Sequence, residues 1–320
     1  MSIKIIKPGI CSTVQDEGRT GHRYLGIGPG GVMDFFAASV ANYLVGNEKN
    51  VPVFEMHFPA ATLLFQTDAI ISITGADFDA HINDAPISLY QPVFIKMNSI
   101  LSFKKNCSGV RTYMAIQGGI IADQWLGSYS TQIKLKVGGF EGRILQKEDE
   151  VTLKATAKSN KKIFSITPKI VNNIYNDKSS IRFIIGPEYP LLNTVSKKIF
   201  SSSAFVISNQ SDRMGYRLNG QALFLKKIVE FISSPVGFGT IQLLPNGNLI
   251  VLMADHQTSG GYPRIASVIT ADLPRLAQLP VNAAINFKLV TLSEAEEILI
   301  SMHQTIDEIH IGCKKNYATH

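Results

Sequence analysis

Short runs of β-branched and aromatic residues, each closed by turn-forming residues, dominate this chain and constrain its fold most. Ala69 to Thr74, Pro92 to Met97, Ile100 to Phe103 and Thr112 to Ile116 are such runs in the first half. Ile181 to Ile185, Ala204 to Ser208, Ile228 to Ile232 and Leu249 to Ala254 repeat the style in the second. Runs of this length, bounded by Gly, Pro and Asn, read as strands, and many of them in succession point to barrels or sandwiches. The expectation is a mainly β protein with two barrel-like halves and few helices.

Two segments carry helical spacing. From Asp34 to Leu44 the residues Phe36, Ala37, Val40, Ala41 and Leu44 share one face, and Gly46-Asn47 closes the run. A terminal helix is expected to begin at Ser293, with Ser293 and Glu296 as a capping box and an apolar stripe through Ile298, Leu299, Met302 and Ile306. Between the halves lies a Lys-, Ser- and Asn-rich stretch from Lys154 to Ser180. The expected division is a first domain over 1–155, a linker over 156–180 and a second domain over 181–320 that includes the terminal helix. Each half runs a strand into a glycine pair, at Thr112 to Gly119 and at Val251 to Gly261, a faint sign of duplication.

At 320 residues the chain has room for about two domains. With 45% hydrophobic and 18% charged residues it can bury full cores. No stretch approaches the roughly 20 apolar residues that cross a bilayer, and Met1 to Ile10 lacks a signal-peptide pattern. A cytoplasmic location is therefore expected. The three cysteines, Cys11, Cys107 and Cys313, are far apart, which argues against a disulfide framework or a cysteine-rich zinc site. The seven histidines show no ligand spacing, so no metal is expected. The net charge of +6 comes from dispersed lysines without interleaved aromatics, so neither nucleic acid nor membrane is an expected partner.

Polar residues crowd together in a few places. In Ala254 to Ile265, a strand end is followed by Asp255, Gln257, Thr258, Gly260-Gly261, Tyr262 and Arg264. A glycine pair lets backbone N–H groups approach a ligand, Gln and Thr offer neutral hydrogen bonds, and Arg can clamp a carboxylate. A polar-decorated hairpin turn is the competing interpretation. Ser208 to Leu218 packs Gln210, Asp212 and Arg213 between apolar runs, either as a site or as a turn closed by an ion pair. Asp16, with Glu17 and Arg19, and Asp77 after a strand, are secondary candidates whose default role is to shape turns. The glycine-rich stretch Gly26 to Asp34 precedes a helix, as anion sites do. It lacks the Lys and Ser/Thr of a phosphate loop, and Pro29 removes a donor.

Taken in order, several of these segments resemble one family: STVQDEGR (12–19), GVMD with NYLVGN (31–47), TGAD (74–77), RTYMAIQGGI (111–120) and GSYST (127–131), then SNQSDRMGYRL (208–218), PVGFGTIQLLPNG (235–247), ADHQTSGGYPRIASVI (254–269) and ADLPRLAQL (271–279). The family is that of the 5-oxoprolinase C subunits (PxpC), also called KipA or the biotin-dependent carboxyltransferase family and formerly the second subunit of allophanate hydrolase. The resemblance implies two cyclophilin-like β-barrel domains. It also implies a hydrolase that works only with a KipI-like B subunit and a LamB/YcsF-like A subunit, and that is inactive alone. Together the three would open 5-oxo-L-proline to L-glutamate with ATP. An unstrained lactam is a poor electrophile, and phosphorylating its oxygen activates the ring carbon to water.

Such a site must hold a carboxylate and a developing oxyanion. Asp255, Gln257, Thr258 and Arg264 are the expected catalytic set. Gln210, Asp212, Arg213, Gly260, Gly261 and Tyr262 are the expected substrate-binding set, on one shared surface. Two alternatives are the carboxyltransferase part of a urea carboxylase-like biotin system and a non-catalytic KipI-binding regulator. No biotin is expected on this chain, since Lys96 lacks the flanks of a Met-Lys-Met attachment site. The chain departs from the family at His256, where the family varies, and at Asn98-Ser99 and Val281-Asn282, where it has unusual turns.

Overall fold

In the computed structural model the described residues are 1–154, 164–175, 180–227 and 229–318. They form a mainly β protein whose chain divides into two compact units. One comprises Met1–Arg19, Gly30–Tyr175 and Gln304–His320; the other comprises Thr20–Pro29 and Asn176–His303. The division expected at 155 and 180 misses two exchanged segments. The loop at 20–29 belongs with the second unit, and the end of the terminal helix belongs with the first. Of the expected linker, 156–163 and 176–179 lie outside the described residues. Its remainder includes a helix, Pro168–Tyr175.

The first unit is built of a six-stranded and a five-stranded antiparallel sheet. Strands Ala69–Asp77 and Ser108–Ile116 sit side by side in the smaller sheet, with Tyr113 opposite Thr74 and Met114 opposite Ile73. Their side chains alternate between two apolar clusters, as pleating requires. Ile71, Ile73 and Met114 enter a core shared with Ile3, Ile5 and Leu63 of the larger sheet. Ile70, Tyr113 and Ala115 face the other way, onto Ala37, Ala38 and Ala41 of helix Phe35–Leu44. Burial on both faces explains why these strands read as nearly continuous apolar runs. Thr74 Oγ1 donates to the Ala37 carbonyl at 2.8 Å and Ser72 Oγ donates to that of Ala41, so the few polar side chains facing the helix are satisfied. Asp34 caps the helix by accepting from the Ala37 N–H at 2.9 Å.

The second unit holds an eight-stranded sheet that is antiparallel except where Ile181–Ile185 pairs with Phe287–Leu289. Its two edge strands, Ala284–Ile285 and Phe287–Leu289, are separated in sequence by Asn286 alone. A sheet whose two edges are one residue apart must curl round almost to closure, as a barrel does. Phe183, Phe200, Phe205 and Phe287 fill it, with centroid distances of 4.8 Å for Phe183–Phe200 and 5.0 Å for Phe200–Phe287.

Three sequence expectations need correction. Val229 to Ile232 is not a strand, and Ile228 lies outside the described residues. The terminal helix starts earlier, at Leu292. Its capping box is Thr291 with Glu294: Thr291 N donates to Glu294 Oε2 at 2.7 Å, and Glu294 N donates to Thr291 Oγ1 at 3.2 Å. Helix Thr194–Ser202, capped by the Asn193 side chain at the Ser196 N–H, was not anticipated. The two unusual turns have a simple basis. Asn98 and Asn282 take φ of 65° and 69°, a region asparagine tolerates better than other side-chain-bearing residues.

Candidate functional site

The two segments singled out in the second half lie against each other. Strands Gly215–Asn219 and Leu249–Leu252 pair, and the pairing continues past their ends: Asp255 N donates to the Arg213 carbonyl at 2.8 Å. The side chains then close a fork. Arg213 Nε donates to Asp255 Oδ2 at 2.9 Å and Nη2 donates to Oδ1 at 3.0 Å, with both side chains about nine-tenths buried. Bidentate geometry of this kind fixes an arginine's plane as well as its charge. Asp212 turns back on its own loop, where Oδ1 accepts from the Met214 and Gly215 N–H groups. Gln210 is exposed beside it.

Beyond Asp255 the chain turns into a two-residue ladder in which Gly260 opposes Ser234 and Ser259 opposes Pro235. A Cβ on Gly260 would lie 2.7 Å from Gln242 Nε2 and 3.2 Å from Gln257 Nε2. Two amide side chains therefore converge on this glycine. Gln242, buried in strand Thr240–Leu243, donates to the Tyr262 carbonyl at 3.2 Å. Gln257, Gly261 and Tyr262 are exposed, and Thr258 is half-buried.

Arg264 is held by a residue that sequence reasoning missed. Its Nε and Nη2 donate to Glu188 at 3.1 and 2.8 Å, its backbone N–H donates to the same carboxylate at 2.8 Å, and Nη1 donates to the Pro235 carbonyl. Burial raises the Glu188 carboxyl, but the Arg264 hydrogen bonds and charge outweigh it and leave its pKa below the ordinary value. Both expected clamps are thus engaged by carboxylates. Gln210, Gln257, Gly261 and Tyr262 are among the exposed residues of the surface that can donate a hydrogen bond.

The glycine-rich stretch contributes packing. Gly28 sits where a Cβ would lie 2.6 Å from the His256 carbonyl, and Arg23 donates to the Val236 carbonyl. His256 is 2% exposed, with Nδ1 against the Gln257 carbonyl at 2.6 Å. Burial and the Arg23 charge depress its pKa. The helix N-terminus that follows is filled by the Asp34 carboxylate, whose Oδ2 also accepts from Tyr175 Oη at 2.8 Å. A phosphate has no place there.

The secondary candidates sit in the first unit. Asp16 accepts from Ser128 Oγ at 2.6 Å, Ser130 Oγ at 2.5 Å, Tyr129 N at 2.6 Å and Gly18 N at 2.9 Å, which anchors the loop carrying GSYST. Arg19 donates to the Ser130 carbonyl and lies over the Trp125 ring at 5.0 Å. Asp77 Oδ1 accepts from Asp79 N at 2.9 Å, a turn-shaping role. Among the described residues no group of three or more His, Cys, Asp or Glu side chains is arranged to hold a metal. No helix among them is long and apolar enough to cross a membrane.

Comparison with known proteins agrees with this architecture. The family model "carboxyltransferase domain, subdomain A and B" matches residues 25–289. The chain is 38% identical to the 5-oxoprolinase C subunit of Escherichia coli over 92% of its own length and 93% of that protein. It is 36% identical to the 5-oxoprolinase C subunit of Haemophilus influenzae over 93% and 94% respectively. Among solved structures, the urea amidolyase of K. lactis superposes with a TM-score of 0.88 at 27% identity, covering 96% of this chain but only 20% of that one. The near-complete mutual coverage with the two bacterial proteins, on the fold described above, establishes that this chain belongs to the carboxyltransferase domain, subdomain A and B, family, on the side of the 5-oxoprolinase C subunits.

Proposed function

We propose that the chain is the C subunit of an ATP-dependent 5-oxoprolinase, opening 5-oxo-L-proline to L-glutamate with a KipI-like B subunit and a LamB/YcsF-like A subunit. The observation that carries this reading is the 38% identity over nearly the full length of both partners in the comparison with the E. coli protein. The urea-processing relatives are matched over a small part of their length, which favours them less. Use of ATP supports a cytoplasmic setting.

The chemistry assigns work to the surface built by 208–218 and 254–265. ATP, bound in the complex, supplies the phosphoryl group: a bond forms from the lactam oxygen to phosphorus as the bond to ADP breaks. Water adds to the ring carbon, the C–N bond breaks as the nitrogen takes a proton, and a second water releases phosphate from the resulting acyl phosphate. Asp255 and Glu188 hold Arg213 and Arg264 in place, so that the two ion pairs fix the strand ends around the substrate. Gln257, Thr258 and the Gly261 N–H hold the oxygen that gains charge, with Gly260 keeping the turn narrow. Tyr262 and Gln210 flank the substrate, and Asp212 fixes the loop that carries Gln210. Asp16, Arg19 and Asp77 are placed outside this chemistry.

The test is reconstitution from the three purified proteins, leaving out one at a time. Glutamate should form from 5-oxoproline and ATP only when the KipI-like protein, the LamB/YcsF-like protein and this chain are all present. Turnover by the isolated, contaminant-free chain would reject the division of labour, and an avidin-sensitive carboxylation of urea would replace the reading altogether.

A further inference from the structure

The second unit carries an open groove of about 790 Å³ that the proposed chemistry touches only at one margin, at Gly261 and Tyr262. Its lining is largely apolar and includes Leu223, Leu243 and Pro263, which are buried, and Pro245, which is exposed. Its rim exposes large apolar side chains: Phe224 is 57% exposed, Val229 44% and Tyr262 43%. Ile232, close by in sequence, is 90% exposed. Lys226, Lys227 and Glu230 stand among them, giving the rim a net positive charge.

A pocket evolved for a small metabolite closes around its ligand and aims a few buried polar groups inward. This groove does neither, since its charged groups sit on the exposed rim. Aromatic and aliphatic side chains left exposed in one patch, with charge at the edge, are the anatomy of a protein interface. The stretch 229–231 that lines one side is not in a strand.

We propose that this groove docks a polypeptide segment of one of the other proteins in the enzyme, apolar along the face that enters it and flanked by carboxylates that meet Lys226 and Lys227. This rests on the reading of the chain as one component of a multi-chain enzyme. Apolar contacts would supply the affinity, and the lysines would set register and association rate.

The experiment titrates the full-length chain with the cognate KipI-like and LamB/YcsF-like proteins, separately and together, by calorimetry and by light scattering on a sizing column. Phe224→Ala removes an exposed anchor, and the pair Lys226→Glu with Lys227→Glu inverts the rim; both are surface changes that should leave the melting temperature unaltered. The expected result is a loss of affinity of about tenfold or more for each variant toward one of the two proteins. Added salt should weaken the wild-type complex, whereas the inverted rim should lose that salt response. Wild-type assembly with variants that bind within twofold of it overturns the groove and leaves the function standing. A wild-type chain that binds neither protein overturns the function and this inference together. Self-association abolished by Phe224→Ala assigns the groove to a second copy and overturns the proposal of a different partner.

Discussion

Removing the Asp255 carboxylate is the sharpest single perturbation of the proposed site. Arg213 and Asp255 are 9% and 11% exposed at the side chain, so Asp255→Ala takes the carboxylate away from a guanidinium that water reaches poorly. Removing one partner of a buried pair costs about 3–5 kcal/mol; with a tenth of each side chain wet, the lower end, about 3 kcal/mol, applies. At about 2–4 °C per kcal/mol for a unit of this size, the melting temperature should fall by about 6–12 °C. Urea unfolding followed by circular dichroism measures the free energy, and calorimetry the temperature. The double change Arg213→Met with Asp255→Leu should recover much of the loss, because an apolar pair needs no compensation. That double variant should still fail in the reconstituted enzyme, separating the pair's structural part from its proposed part in substrate binding. A loss under about 0.5 kcal/mol for Asp255→Ala, the level of an ordinary surface change, would refute the reasoning.

Gln257→Ala, which removes an exposed side chain, should lower turnover of the reconstituted complex on the order of a hundredfold while sparing the unfolding midpoint; equal losses in both would make Gln257 structural. Gly260→Ala places a methyl 2.7 Å from Gln242 Nε2 and should cost about 1–3 kcal/mol by urea unfolding, since Gln242 is buried and cannot swing out. The Glu188 carboxyl has a folded pKa below its unfolded value, so its contribution to stability is present above pH 4.5 and fades as acid protonates it. Glu188→Gln should therefore flatten the acid limb of a stability–pH curve below that pH, and an unchanged limb would show that the Arg264 pair contributes nothing there. Tyr175→Phe deletes the hydrogen bond to the buried Asp34 carboxylate and should cost about 1.5–3 kcal/mol. Hydrogen exchange across Pro168–Tyr175 should rise with it; unchanged protection would mean the helix is held by other contacts.

The sequence carried the strands well because their signal is local. Ala69 to Thr74 lies within a strand, and its unbroken apolar character reflects burial on two faces, one against the core and one against helix Phe35–Leu44. The terminal helix slipped by two residues in its cap because Thr291-Glu294 and Ser293-Glu296 offer the same chemistry. Only the geometry of the preceding strand decides between them. Ile228 to Ile232 misleads for the opposite reason: its β-branched residues suggest a strand, yet Val229, Glu230 and Ile232 are exposed and Phe231 half-buried, all outside the sheet.

The site divides in the same way. The polar density of 208–218 and 254–265 at two strand ends marks them as candidates, and strand pairing sets them side by side. Their pairings were not. Arg264 finds Glu188, which sits 76 positions away in an unremarkable Gly-Pro-Glu turn, and Gln242 reaches Tyr262 from within an apolar strand. Such partners are fixed by sheet order, which no local pattern encodes. The positions at 20–29 show the same limit, because a loop from the first tenth of the chain joins the second unit and sets Gly28 on the His256 carbonyl.

The central claim is tested most directly by product analysis of the three-protein mixture supplied with labelled 5-oxoproline and ATP, with avidin present and urea as a competing substrate. The expected result is glutamate and phosphate in equal amounts, unaffected by avidin or urea and absent when this chain is withheld. Glutamate formed at the same rate without this chain, or label recovered only in unreacted 5-oxoproline while urea is carboxylated, would contradict it.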